Sequence, residues 1–214
     1  MTISNESRTR IKRTFEPIAL GMGRLGLTPD ALTLIGFGIT VIGAALIAGQ
    51  LWLLGGLVVL VSGVFDMFDG TLARATGRVS SLGAFMDSVF DRAGEVIVYL
   101  GLVVGLDAAG VANGALVAAA ALGAAVMVSY TRSKSEGLGF TTGTGMAAVG
   151  IMPREVRIVI LSSGLVLAGL LGPSTGVLVL QVALAIIALG ATITVIQRIL
   201  HVRRQSRQHP TQSH

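Results

Sequence analysis

Residues 53–74 read Leu53-Leu54-Gly55-Gly56-Leu57-Val58-Val59-Leu60-Val61-Ser62-Gly63-Val64-Phe65-Asp66-Met67-Phe68-Asp69-Gly70-Thr71-Leu72-Ala73-Arg74. From Leu53 to Phe65 no charge interrupts the run, and nothing stops a helix before Arg74. A helix of that length extends about 30 Å, the thickness of a bilayer's hydrocarbon core. Asp66 and Asp69 are three apart near its end and share one face. A carboxylate inside a membrane helix is costly, so this face must turn from lipid toward a polar interior.

The rest of the chain supports a membrane setting. Hydrophobic residues make up 52% of the 214, charged residues only 13%, and the mean hydropathy is +0.80. A soluble domain carries about 25% charged residues. The 29 glycines suit helices that approach one another through small faces, as at Gly36 and Gly43 or Gly101 and Gly105. Cysteine is absent, and the only imidazoles are His201, His209 and His214 near the C-terminus. Any metal held in the apolar body is therefore held by oxygen, which points to Mg2+ or Mn2+.

Five further apolar stretches accompany this one, at about 31–48, 82–106, 114–132, 156–171 and 174–199. Residues 11–27 mix Phe15, Ile18 and Met22 with Lys12, Arg13, Glu16 and Arg24, the pattern of an interfacial amphipathic helix. The expected fold is an all-α integral membrane protein, six transmembrane helices preceded by that interfacial helix. Its parts are a cytoplasmic N-terminus with the helix (1–27), a six-helix domain (28–200) and a polar tail (201–214). All sixteen Lys and Arg residues fall before the first span, between the second and third or just inside the third, between the fourth and fifth, or after the sixth. The connections near 49–52, 107–113 and 172–174 contain none. By the positive-inside rule both termini face the cytoplasm in a multi-pass plasma-membrane protein. The net charge of +5 is thus read as membrane topology, not nucleic-acid binding, and no cleavable signal peptide is read at the start.

A second acidic pair, Asp87 and Asp91, opens the third span four residues apart, again on one face. A turn over 75–81 would lay spans two and three side by side and bring the two pairs together. Such a cluster could be a salt-bridge network with Arg74, Arg78 and Arg92, an ion-transport site, or a hard metal site. Four acids exceed the needs of one Mg2+ ion that keeps its waters, which favours two ions. Gly70 and Gly83 leave room for a pyrophosphate or sugar against the backbone, Ala73 keeps that face narrow, and Arg74 can fork onto phosphate oxygens.

The complete string, Asp-x2-Asp-Gly-x2-Ala-Arg-x8-Gly-x3-Asp-x3-Asp, resembles the signature of the CDP-alcohol phosphatidyltransferase family without a departure. The resemblance implies a six-span membrane fold, usually homodimeric, with a polar active-site cavity open to the cytoplasm. It implies that Asp66, Asp69, Asp87 and Asp91 serve two divalent ions, Mg2+ or Mn2+, and that Asp91 is also the general base. It further implies that Asp66, Gly70, Ala73, Arg74 and Gly83 bind the nucleotide of CDP-diacylglycerol or a related CDP-lipid, with CMP as leaving group. A carrier, or a catalytically silent assembly protein on the same scaffold, is the reading of a different class.

The acceptor is read from Arg132, Arg154, Arg157 and Arg198, which lie at three helix ends on the cytoplasmic side. Each alone could be a snorkelling anchor. Together they suit a phosphorylated polyol. The set, with Gly26-Leu-Thr-Pro-Asp30 before the first span, is similar to the branch of the family whose acceptor is inositol 1-phosphate. Pro153 and Glu155 depart from that branch, which tends to carry glutamate and proline at those places. Glycerol 3-phosphate as acceptor, or an archaeal-type lipid donor, stays open.

Overall fold

The computed structural model describes residues 16–140 and 145–208. Residues 11–15, the first part of the expected interfacial helix, lie outside the described residues, as do Arg8, Arg10, His209 and His214. Among the described residues the structure is helical throughout. Helix α1 covers 16–24, and the six long helices are α2 (Pro29–Ala48), α3 (Trp52–Ala75), α4 (Ser81–Ala108), α5 (Gly114–Gly137), α6 (Arg154–Leu170) and α7 (Pro173–Gln208). A short 3-10 turn at Met146–Ala148 precedes α6.

Local chemistry starts these helices where the chain needs them. Thr28 caps α2, its hydroxyl accepting from the Ala31 N–H at 3.2 Å, with Pro29 and Asp30 in the first turn. Ser80 caps α4 by accepting from the Gly83 N–H at 2.9 Å. The polar tail expected from 201 begins as an unbroken continuation of α7 to Gln208.

Each long helix packs extensively on two others, closing a ring in the order α2, α3, α6, α7, α5, α4. Spans two and three, expected side by side, are not neighbours in this ring. Helix α2 sits between α3 and α4, and those two do not pack extensively on each other. The reason lies in the small faces. A Cβ at Gly101 or Gly105 would strike the carbonyl oxygens of Ala44 and Ile47, so α4 reaches the backbone of α2 only because those side chains are absent. The acidic faces of α3 and α4 are left to look across a gap. Helix α1 packs on α2 and α3, with Ala19 fully buried against Leu32, Phe68 and Leu72.

The outside of the ring is apolar, with side chains such as Leu189 left 67% exposed. Among the described residues four helices, α2, α3, α5 and α7, are long and apolar enough to cross a membrane. Helix α4 carries Asp87, Asp91, Arg92, Glu95 and Asp107. Helix α6 has only 17 residues, about 25 Å at the rise of an α-helix.

Candidate active site

The gap between α3 and α4 is the mouth of a cavity whose other walls are α2 and α6. It is lined by Asp66 of α3, by Asp87, Asp91 and Glu95 of α4, and by Arg154 and Arg157 of α6. Phe37 and Phe90 form part of its wall, their rings 5.0 Å apart between α2 and α4. Asp66 fits against α2 because residue 36 is glycine. A Cβ there would come within 2.9 Å of the carboxylate. A purely helix-packing role for Gly36 therefore understates it, since the space it frees is used by the site.

Asp69 is turned away from this cavity toward α2. It is 5% exposed and accepts hydrogen bonds from the Thr33 hydroxyl at 2.7 Å and from the Gly70 N–H. It remains within electrostatic reach of Asp66 and Asp87, and Asp91 is within reach of the same two. Asp66, Asp87 and Asp91 thus face one space, with Asp69 buried beside it. Among the described residues no three carboxylate or imidazole groups are drawn together tightly enough to cage an ion. The donor chemistry still fits a hard divalent cation. It is all oxygen, and one cationic group already spans two of the acids. That group is Arg154, whose Nη2 lies 3.0 Å from Asp66 Oδ2 and 2.9 Å from Asp91 Oδ1.

One turn deeper, a second rung crosses from α4 to α6. Arg157 donates from Nε and Nη2 to Glu95 Oε1, at 2.9 and 2.7 Å, and from Nη1 to the Met152 carbonyl at 3.0 Å. The other oxygen of Glu95 takes Arg92 Nη1 at 3.1 Å, and the same nitrogen donates to Ser129 Oγ on α5. Glu95 thereby ties α4, α5 and α6 together. It was missed from the sequence, although Asp87, Asp91 and Glu95 recur every four residues and so form one stripe. Thr33, which supports Asp69, carries no such signal, because a lone threonine in an apolar helix looks like any other.

The remaining candidates divide. Gly70, Ala73 and Arg74 lie near the C-terminal end of α3 and Gly83 near the start of α4, all outside the cavity lining. Arg74 is exposed, its Nη2 lies 3.4 Å from Thr71 Oγ1, and its guanidinium folds over Gly70. At Gly83 the neighbours are Ser80 Oγ and Asp30 Oδ1. Arg132 and Arg198 lie on α5 and α7, across the ring from α3. Arg132 pairs with Glu136 at 2.9 Å and is half exposed. Arg198 is buried and donates to the carbonyls of Val149, at 3.0 Å, and Val128. It lies within electrostatic reach of both Arg132 and Arg157. The four arginines expected at one acceptor pocket are thus found in two groups, with Arg154 and Arg157 bonded to acids of the cavity itself.

The profile of the CDP-alcohol phosphatidyltransferase family matches residues 26–202, and the chain belongs to that family. It is therefore a multi-pass membrane enzyme of that class. Among its relatives it is 32% identical to the archaetidylinositol phosphate synthase of Pyrococcus horikoshii, over 92% of this chain and 95% of that one. It is 34% identical to the phosphatidylinositol phosphate synthase of Streptomyces avermitilis, over 95% of this chain and 84% of that one. The fold is similar to the phosphatidylinositol phosphate synthase of Mycobacterium tuberculosis with CDP-DAG bound. The TM-score is 0.78 at 29% identity, over 89% of this chain and 94% of that one. Another structure of the Mycobacterium tuberculosis protein is in complex with manganese and citrate.

Proposed function

We propose that this enzyme transfers the phosphatidyl group of CDP-diacylglycerol to a hydroxyl of inositol 1-phosphate, releasing CMP. The observation that carries the reading is the acid-lined cavity, where Asp66, Asp87 and Asp91 face one space beside the buried Asp69. The names of the bacterial and archaeal relatives agree on inositol phosphate chemistry and differ in the lipid. The CDP-DAG-bound neighbour supports the diacyl donor.

Two divalent ions, Mg2+ or Mn2+, held by Asp66, Asp69, Asp87 and Asp91, would neutralise charge on the donor's pyrophosphate when bound. Thr33 holds Asp69 in place for that task. Gly70, Ala73, Arg74 and Gly83 cradle the cytidine nucleotide at the cavity mouth, where Arg74 has exposed nitrogens to offer. Asp91 takes the proton of the acceptor hydroxyl as general base. The acceptor oxygen bonds to the β-phosphorus, the bond from that phosphorus to the CMP oxygen breaks, and CMP leaves with the electron pair. Arg154 and Arg132 receive the acceptor's phosphate, while Arg157 and Arg198, whose guanidinium groups are tied to Glu95 and to backbone carbonyls, brace the pocket.

The six long helices all span the plasma membrane in this reading, with α1 at the interface and both termini and the cavity mouth on the cytoplasmic side. The one-sided distribution of Lys and Arg supports that orientation. A homodimer is the assembly that the family resemblance implies.

The test is CMP release by the purified protein, supplied with CDP-diacylglycerol and Mn2+. Inositol 1-phosphate is expected to drive release, whereas glycerol 3-phosphate, free inositol and serine give background. Equal release with free inositol or serine contradicts the phosphorylated acceptor, and selective use of glycerol 3-phosphate reassigns it.

A further inference from the structure

We propose that Arg154 is a displaceable counter-ion: a divalent cation drives it off Asp66 and Asp91, freeing it for the acceptor's phosphate, so that cation and acceptor strengthen each other's binding. The inference rests on the metal-dependent reading above and adds a coupling to it.

Its basis is the contrast between neighbouring arginines on α6. Arg157 is 1% exposed and bonded through all three nitrogens, with one of those bonds reaching the backbone just before the helix. Arg154, one turn earlier, has a side chain 25% exposed. Both of its ion pairs run through the single nitrogen Nη2, and its Nε is buried with no hydrogen-bond partner among the described residues. The first arginine anchors the start of α6, so the second can swing its guanidinium without moving the helix.

Electrostatics supplies the drive. A dication at Asp66 and Asp91 and a guanidinium on the same oxygens repel each other at contact distance, in a site partly shielded from water. The ion carries the larger charge and prefers carboxylate oxygen, so Arg154 yields. An arginine left inside a membrane protein without an anion is unfavourable. The phosphate of the acceptor, arriving at the same cavity, gives it one with charge-assisted hydrogen bonds. Linkage makes the effect mutual. Whatever factor the cation adds to acceptor affinity, the acceptor adds to cation affinity.

The experiment is a Mn2+ titration of the purified full-length protein, read by the EPR signal of free Mn2+ and corrected for ion bound by inositol 1-phosphate itself. In the parent protein, inositol 1-phosphate is expected to tighten Mn2+ binding about fivefold or more, while free inositol leaves it unchanged. Arg154→Gln is expected to bind Mn2+ about tenfold more tightly than the parent without acceptor, and to lose the acceptor's effect. Arg154→Lys keeps the positive charge and is expected to stay closer to the parent, which separates competition from damage to the fold. Parent-like or weaker Mn2+ binding by Arg154→Gln overturns the proposal. So does a parent protein whose Mn2+ affinity ignores inositol 1-phosphate, a result that needs no variant. Failure of the parent to bind Mn2+ at all overturns the metal-dependent function itself.

Discussion

Two salt-bridged rungs join α4 to α6, and they differ in what surrounds them. The inner rung, Glu95 with Arg157, is sealed, and every nitrogen of the arginine has an acceptor. The outer rung, Asp91 with Arg154, is partly open and shares its arginine with Asp66. A sealed pair resists change because removing one partner strands a buried charge. An open pair can trade its cation for another. The same kinds of residue, at nearly the same spacing on the same two helices, are thus locked together one turn down and left open to exchange one turn up.

Chelation should break the outer rung's function most completely. Activity is expected to fall to background in excess chelator and to return with Mg2+ or Mn2+, as measured by CMP release. Full turnover in protein shown to be metal-free would remove the ions from the mechanism.

Asp91→Asn should come next. It keeps the size of the side chain but not its basicity, and the rate is expected to drop about 10²–10⁴-fold with CDP-lipid affinity much less affected. Single-turnover kinetics beside a nucleotide-binding titration would check this, and parent-like turnover would move the base elsewhere.

The inner rung should fail differently. Glu95→Ala leaves Arg157 buried without its carboxylate and is expected to cost about 3–5 kcal/mol of stability, seen as a lowered thermal midpoint in detergent. An unchanged midpoint would mean that Glu95 is not a strut. The smallest effect belongs to Arg132→Ala. Its pair with Glu136 is exposed, so stability should change by about 1 kcal/mol or less, while the KM for inositol 1-phosphate rises and that for CDP-diacylglycerol holds.

Much of this could be read in the residues. Spacing placed Asp87 with Asp91 on the helix face that lines the cavity, whereas Asp69, three residues from Asp66, turns to Thr33 of α2. The apolar runs located the starts of the six long helices within a few residues, but α7 continues to Gln208, well past the expected end near 199. The wedge of α2 between α3 and α4 could not be read, because it depends on Gly101 and Gly105 meeting particular carbonyls of another helix. The inner rung was half legible. Glu95 continues the stripe of Asp87 and Asp91, but its partner is 62 residues away, and only helix packing selects it. Nor does sequence say how an arginine at a helix end is spent. Arg198 looks as available as Arg132, yet its guanidinium is tied to the carbonyls of Val128 and Val149.

The two rungs can be watched together by anomalous diffraction from crystals of this protein soaked with Mn2+. The expected result is two strong peaks among Asp66, Asp69, Asp87 and Asp91, with Arg154 withdrawn from Asp66 and Asp91 and Arg157 still on Glu95. No peak among those carboxylates at saturating Mn2+, with Arg154 still bridging Asp66 and Asp91, would contradict a metal-dependent site built on these acids.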